Sequence, residues 1–152
     1  MSGRSKARAA ARLAAVQALY QHQMEGTGEA RLLDEFHRHR LGGEVDPDID
    51  GARYADADVA FFDDVVSGTL ARLEEIDAIV VGKLASGWTL ARLDKTMLQI
   101  LRCGTYELLA RADVPTGAAI SEYVDVAHAF FDAREAKFVN GVLDAVGKAV
   151  RS

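Results

Sequence analysis

The chain is poor in the residues that mark several large protein classes. It has one cysteine in 152 residues, so Cys103 can form neither an intramolecular disulfide nor an all-cysteine zinc site, a usage that fits a reducing compartment. No apolar run approaches the roughly 18 residues of a membrane span. Neither a G-x-G-x-x-G nor a Walker loop is present, so a nucleotide cofactor has no phosphate cradle. Ser121, Asp125 and His128 have hydrolase residue types but no G-x-S-x-G elbow to expose a nucleophile. The four histidines, His22, His37, His39 and His128, do not combine into a ligand set, because His37 and His39 point to different sides of a helix. No fixed-period repeat, long heptad run or low-complexity linker divides the chain, so it reads as one domain spanning 1–152. No catalytic chemistry is visible, and no cofactor or metal is expected.

Acidic residues are also missing from one place. Arg4, Lys6, Arg8 and Arg12 give Met1–Met24 a charge of +4, and the other 128 residues carry −9. The net charge of −5 argues against a surface that coats nucleic acid or an anionic membrane throughout, and leaves room for a local basic patch. A Sec signal does not fit this segment, because glutamines break it and no small-residue cleavage pattern follows. A mitochondrial transit peptide shares its Arg- and Ala-rich composition, but Leu13, Val16, Leu19 and Tyr20 recur at core-facing helical spacing, which favours retention in the mature fold. Arg4, Arg8 and Arg12 lie at four-residue steps, each rotating only about 40° on a helix. Three guanidiniums along one slowly drifting stripe, with no acid nearby in sequence, suit the phosphates of an anionic partner.

Apolar residues elsewhere recur at three and four rather than in alternation, which predicts an all-α chain of seven helices. The first runs from about Ser5, a candidate N-cap, to Glu25, with Gly26 and Gly28 ending it. The second spans about Glu29 to Leu41 and uses Leu32, Leu33 and Phe36. The third begins near Asp56 and is expected to bury Val59, Phe62, Val66, Leu70 and Leu73; the fourth takes Ile76, Ile79, Val80 and Leu84. Gly87 to Leu93 reads as a connection. Asp94 can cap a fifth helix with the stripe Met97, Ile100, Leu101, Gly104 and Leu108. The sixth carries Ile120, Val124, Ala127 and Phe131, the seventh Phe138, Val142, Val146 and Ala149. Pro47 and Pro115 fall between helices, where a fixed φ and a missing N–H do least harm. Gly104 and Gly141 each cost roughly 1 kcal/mol in a helix relative to alanine, and close helix approach would offset that. Asn140 is expected to hold a buried amide.

Glu44 to Asp58 is an acidic loop with six acids in fifteen residues. Within it Asp46-Pro47-Asp48-Ile49-Asp50-Gly51 copies the opening of an EF-hand, but Ala57 stands where the closing bidentate Glu belongs, so a solvated acidic loop is the better reading. Tyr20, Phe130, Phe131 and Phe138 are the aromatics that could stack on unpaired bases.

The stretch Ala15-Val16-Gln17-Ala18-Leu19-Tyr20-Gln21, then Leu101-Arg102 with Tyr106-Glu107-Leu108, then Val114-Pro115, Ala119-Ile120 with Glu122, and finally Lys137-Phe138-Val139-Asn140-Gly141-Val142-Leu143-Asp144 together resemble the NusB transcription antitermination family. The closing run is the most specific of these. The resemblance implies two small perpendicular helical bundles, three helices and then four. It implies an antitermination factor that binds boxA-type single-stranded RNA together with the ribosomal protein NusE. The pair acts with RNA polymerase in the cytoplasm, notably on ribosomal RNA operons, without catalysis. It also implies that Arg4, Lys6, Arg8, Arg12, Tyr20, Phe130 and Phe138 form the RNA face. The fourth to sixth helices and the turn before Lys137, including Arg134, would form the partner surface. In that turn the family commonly has a glycine, acids and a serine, whereas this chain reads Phe131-Asp132-Ala133-Arg134-Glu135-Ala136. A homodimer that hides the RNA face stays open. So do two other readings: a helical protein-interaction module without RNA, and a regulatory domain related to the N-terminal part of rRNA cytosine methyltransferases.

Overall fold

A computed structural model of the chain describes residues 3–41 and 57–151. Among the described residues there are seven α-helices and no strand. The chain divides into two compact units, Met1–Ser67 and Gly68–Ser152, and the division falls inside the third helix.

The first unit contains α1 (Gly3–Glu25), α2 (Glu29–His39) and the start of α3 (Val59–Ala71). Helix α1 begins before Ser5, so Ser5 is not its cap; the alanine- and arginine-rich run has high helix propensity throughout, and nothing in it stops the helix sooner. It ends where Gly26 adopts φ +72°, a left-handed conformation that closes the last turn by Gly26 N–H donating to His22 O at 3.0 Å. Helix α2 buries Leu32 and Phe36. The Phe36 ring stacks on Phe62 of α3 at a centroid distance of 5.6 Å, and His37 meets the edge of Phe62 while its Nε2 lies 2.6 Å from Asp63 Oδ1. Asp58 caps α3, its Oδ1 accepting from Phe61 N–H at 2.9 Å. The helix buries Phe61, Phe62, Val65, Val66 and Thr69. Val59, expected in that stripe, is exposed, and Leu73 belongs to the following helix.

The second unit contains α4 (Leu73–Gly82), a 3-10 turn at Leu90–Arg92, α5 (Lys95–Ala110), α6 (Thr116–Phe130) and α7 (Ala133–Val150). Asp94 caps α5 as its position suggests, accepting from Thr96 and Met97 N–H at 2.8 and 3.2 Å. Helix α5 packs against α4, α6 and α7 and buries the whole run from Cys103 to Leu108, as a helix surrounded by others must. Two of its polar side chains find partners on neighbouring helices. Arg102 forms a two-pronged pair with Asp77, both bonds 2.8 Å, and the buried Glu107 carboxylate accepts from Tyr123 O–H. Burial pushes the Cys103 thiol far up from its ordinary range, so it stays protonated and inert.

Gly104 sits where an added Cβ would lie 2.8 Å from Leu143 Cδ1, the close approach its position implied. Gly141 does not: a Cβ there would meet nothing within 4 Å, and its neighbour Asn140 is exposed rather than buried. Both corrections have one cause. Helix α7 buries Ala136, Val139, Val142, Leu143, Val146 and Gly147, so its inward face is rotated from the expected stripe and leaves Phe138 and Ala149 outside. At the far end of α7, Arg151 donates to the carbonyls of Glu107, Leu108, Arg111 and Val114 and to Thr116 Oγ1.

Candidate nucleic-acid interface

The basic stripe of α1 winds from solvent into the protein. Arg4 and Lys6 are exposed. One turn on, the Arg8 guanidinium lies 4.5 Å from the centroid of the Phe61 ring, and Arg12 lies 4.8 Å from the same centroid. Arg12 is only 4% exposed. An apolar ring attracts guanidiniums through its negative face, so one phenylalanine of α3 anchors two residues expected on phosphates. Arg8 Nε also lies 3.7 Å from Asp58 Oδ2. The acid missing from the first segment is thus supplied by the cap of α3. Of the four expected cations, Arg4 and Lys6 stand outward and Arg8 is part-buried; Arg12 is buried, its long apolar stem and planar head covering Phe61.

The aromatic candidates behave differently. Tyr20 on α1, Phe130 at the end of α6 and Phe138 in the second turn of α7 are 40%, 42% and 40% exposed. Phe130 leans on half-buried Phe131 with centroids 6.4 Å apart, which limits its rotation. A half-exposed ring held by its neighbours is a surface on which a base can stack at small entropic cost. Tyr20 lies in the first unit with Arg4 and Lys6, while Phe130 and Phe138 lie in the second. Arg134 is exposed in the first turn of α7. A cation there opposes the positive end of the helix dipole, an arrangement that an acidic or phosphate-bearing partner would relieve.

Two surface features escaped the sequence reading. Trp88, in the segment taken as a plain connection, is 47% exposed, and Arg92 stacks on it at 5.1 Å while donating to Gly87 O at 3.2 Å. A single tryptophan among Gly, Ser and Thr was the available signal. The second is a groove of about 590 Å³ between α6 and α7, with Ile120 and Val124 along it and Ser121, His128, Lys137 and Asn140 among its polar lining. It mixes ammonium, imidazole and amide groups over an apolar base.

Among the described residues no three His, Cys, Asp or Glu side chains gather as a metal site. No described helix is long and apolar enough to cross a membrane. The EF-hand-like run Asp46 to Gly51 lies outside the described residues.

Residues 9–148 match the family model described as NusB family. The chain is similar to the transcription antitermination protein NusB of Sphingopyxis alaskensis, 65% identical over 151 residues covering 99% of both chains. It is also similar to that of Novosphingobium aromaticivorans, 68% identical over 146 residues covering 96% of both. Among solved structures it resembles T. maritima NusB, with a TM-score of 0.72, 29% identity and coverage of 93% of this chain and 90% of that one. It also resembles a chain in a complex of antitermination factors NusB and NusE with dsRNA, with a TM-score of 0.76, 27% identity and coverage of 93% and 96%.

Proposed function

The chain belongs to the NusB family, and from that premise we propose that it is a transcription antitermination protein that binds boxA-type RNA together with NusE and acts with RNA polymerase in the cytoplasm. It works by binding, not by catalysis. Arg4 and Lys6 contact phosphates, and Tyr20, Phe130 and Phe138 stack on unpaired bases. Arg8 and Arg12 support that face from behind, Arg12 through packing and Arg8 at its edge. Arg134 contributes to the partner surface.

The observation that carries this reading is that all three aromatic residues matched to the family's RNA face stand 40% to 42% exposed, although helical spacing alone placed Phe138 in a core stripe. A ring left half in water is compatible with stacking in a way that a packed one is not. The solved relative that holds NusB, NusE and RNA in one complex supports the choice of partners.

RNA and NusE should bind with positive coupling of about 1 to 3 kcal/mol, equal in both directions by linkage. Calorimetric titration of NusE with and without saturating boxA-like RNA measures it. Equal affinities in the two experiments would reduce the proposal to independent binding.

A further inference from the structure

Asp58 stands against the basic face of α1 although it caps α3. Its backbone N–H donates to Ala7 O at 3.0 Å, and its Oδ1 accepts from Phe61 N–H at 2.9 Å. Those two bonds fix the carboxylate and leave Oδ2 facing Arg8 Nε at 3.7 Å. That separation exceeds the roughly 2.7 to 2.9 Å of a charge-assisted hydrogen bond, so this contact is electrostatic rather than a hydrogen bond. The Arg8 head is fixed in turn by Phe61 beneath it. Both side chains keep some exposure, 17% and 28%; Arg8 Nε itself is buried, so an anion reaches the cation only over the exposed part of its side chain.

We propose that Asp58 is a built-in competitor for RNA phosphate at Arg8: a carboxylate, held by the α3 cap, that occupies the charge a phosphate oxygen would otherwise engage. The inference rests on the RNA-binding reading above and adds a residue that sets its strength. A phosphate brought to Arg8 meets a carboxylate of like sign that the backbone holds in place. Part of the attraction is offset by repulsion at close range. Arg8 therefore contributes less than Arg4 or Lys6, not because it is far from the ligand but because it is already matched. The consequence is a protein tuned below the RNA affinity its cations could give, which disfavours indiscriminate binding to other anions.

The test is Asp58→Asn, since asparagine caps helices as well as aspartate does and removes only the charge. Polarisation titrations with boxA-like RNA at several salt concentrations should show binding tightened by about 3- to 10-fold near 0.1 M salt, with the log-log salt slope steeper by about 0.7, one further phosphate on a single strand. Asp58→Ser, a second capping residue without the charge, should act in the same direction, with denaturant midpoints confirming that both variants fold. In an Arg8→Gln background the gain should vanish. Asp63→Asn, on the same helix but paired with His37, should tighten binding by less than about 2-fold, as expected for loss of one more distant charge. Unchanged affinity in Asp58→Asn, or an equal gain with and without Arg8, overturns the proposal. A wild-type protein that fails to bind RNA at all overturns the parent reading, a different result from wild-type binding that Asp58→Asn leaves unmoved.

Discussion

Helix α1 buries mainly alanine, with Ala11, Ala14, Ala15 and Ala18 on its inner side and Arg12 among them. Helix α7 buries Val139, Val142, Leu143 and Val146. The side chains decide how each helix can use its remaining surface. A face of small residues lets the neighbouring backbone come close but offers little area, so long arginine stems complete the contact and their charges are drawn into packing. A face of branched residues fills its own interface, and a large ring just outside it, Phe138, is surplus to the core. The lesson is that a cation on a small-residue helix is poor evidence of a ligand site, whereas an aromatic flanking a complete core stripe is good evidence.

That contrast can be broken most directly at α7. Leu143→Ala, at a side chain packed on Gly104, should cost about 2 to 5 kcal/mol of stability, read as a shifted denaturant midpoint, with normal RNA affinity in the folded fraction. Phe138→Ala should do the reverse, lowering RNA affinity by about 1 to 3 kcal/mol for one lost stack with a midpoint close to wild type. A large midpoint loss with intact RNA binding would return Phe138 to the core. The smallest effect sharpens the α1 side of the comparison. Arg4→Ala with Lys6→Ala should flatten the salt slope by about 1.4, at roughly 0.7 per phosphate, without altering thermal melting. Arg12→Ala should leave the slope nearly unchanged and cost about 1 to 2 kcal/mol of stability through its lost contact with Phe61. If Arg12→Ala flattened the slope instead, the buried arginine would have to emerge on binding.

Local signals were read well from sequence. Asp94 capping α5, the glycine after α1 and the tight place at Gly104 each depend on a few neighbouring residues or on one helix contact. The failures share a different character. Phe138, Val142 and Val146 have helical spacing, but so do Val139, Val142, Leu143 and Val146, and the two stripes share two members. Periodicity cannot say which flank faces in; only the neighbours of α7 decide. The partner of Arg8 was likewise out of reach, because Asp58 arrives from another helix. Tyr20, Phe130 and Phe138 were picked out of four candidate aromatics by family resemblance, since a lone ring in a helical pattern looks the same whether packed or wet. Trp88 lacked even that support in the reading, and its stacked arginine became visible only in the structure.

Arg151 gathers carbonyls from the end of α5 and the turn that follows, and reaches Thr116 at the start of α6. Helix ends ordinarily fray one by one, because each carries its own orphan groups, N–H at the start and C=O at the finish. Here one guanidinium ties three ends together, so loosening any of them releases bonds to the others. Amide protons in the last turns of α5 and α7 should therefore exchange with solvent at a common rate, as one opening event rather than two, and Arg151→Ala should separate them into two independent rates.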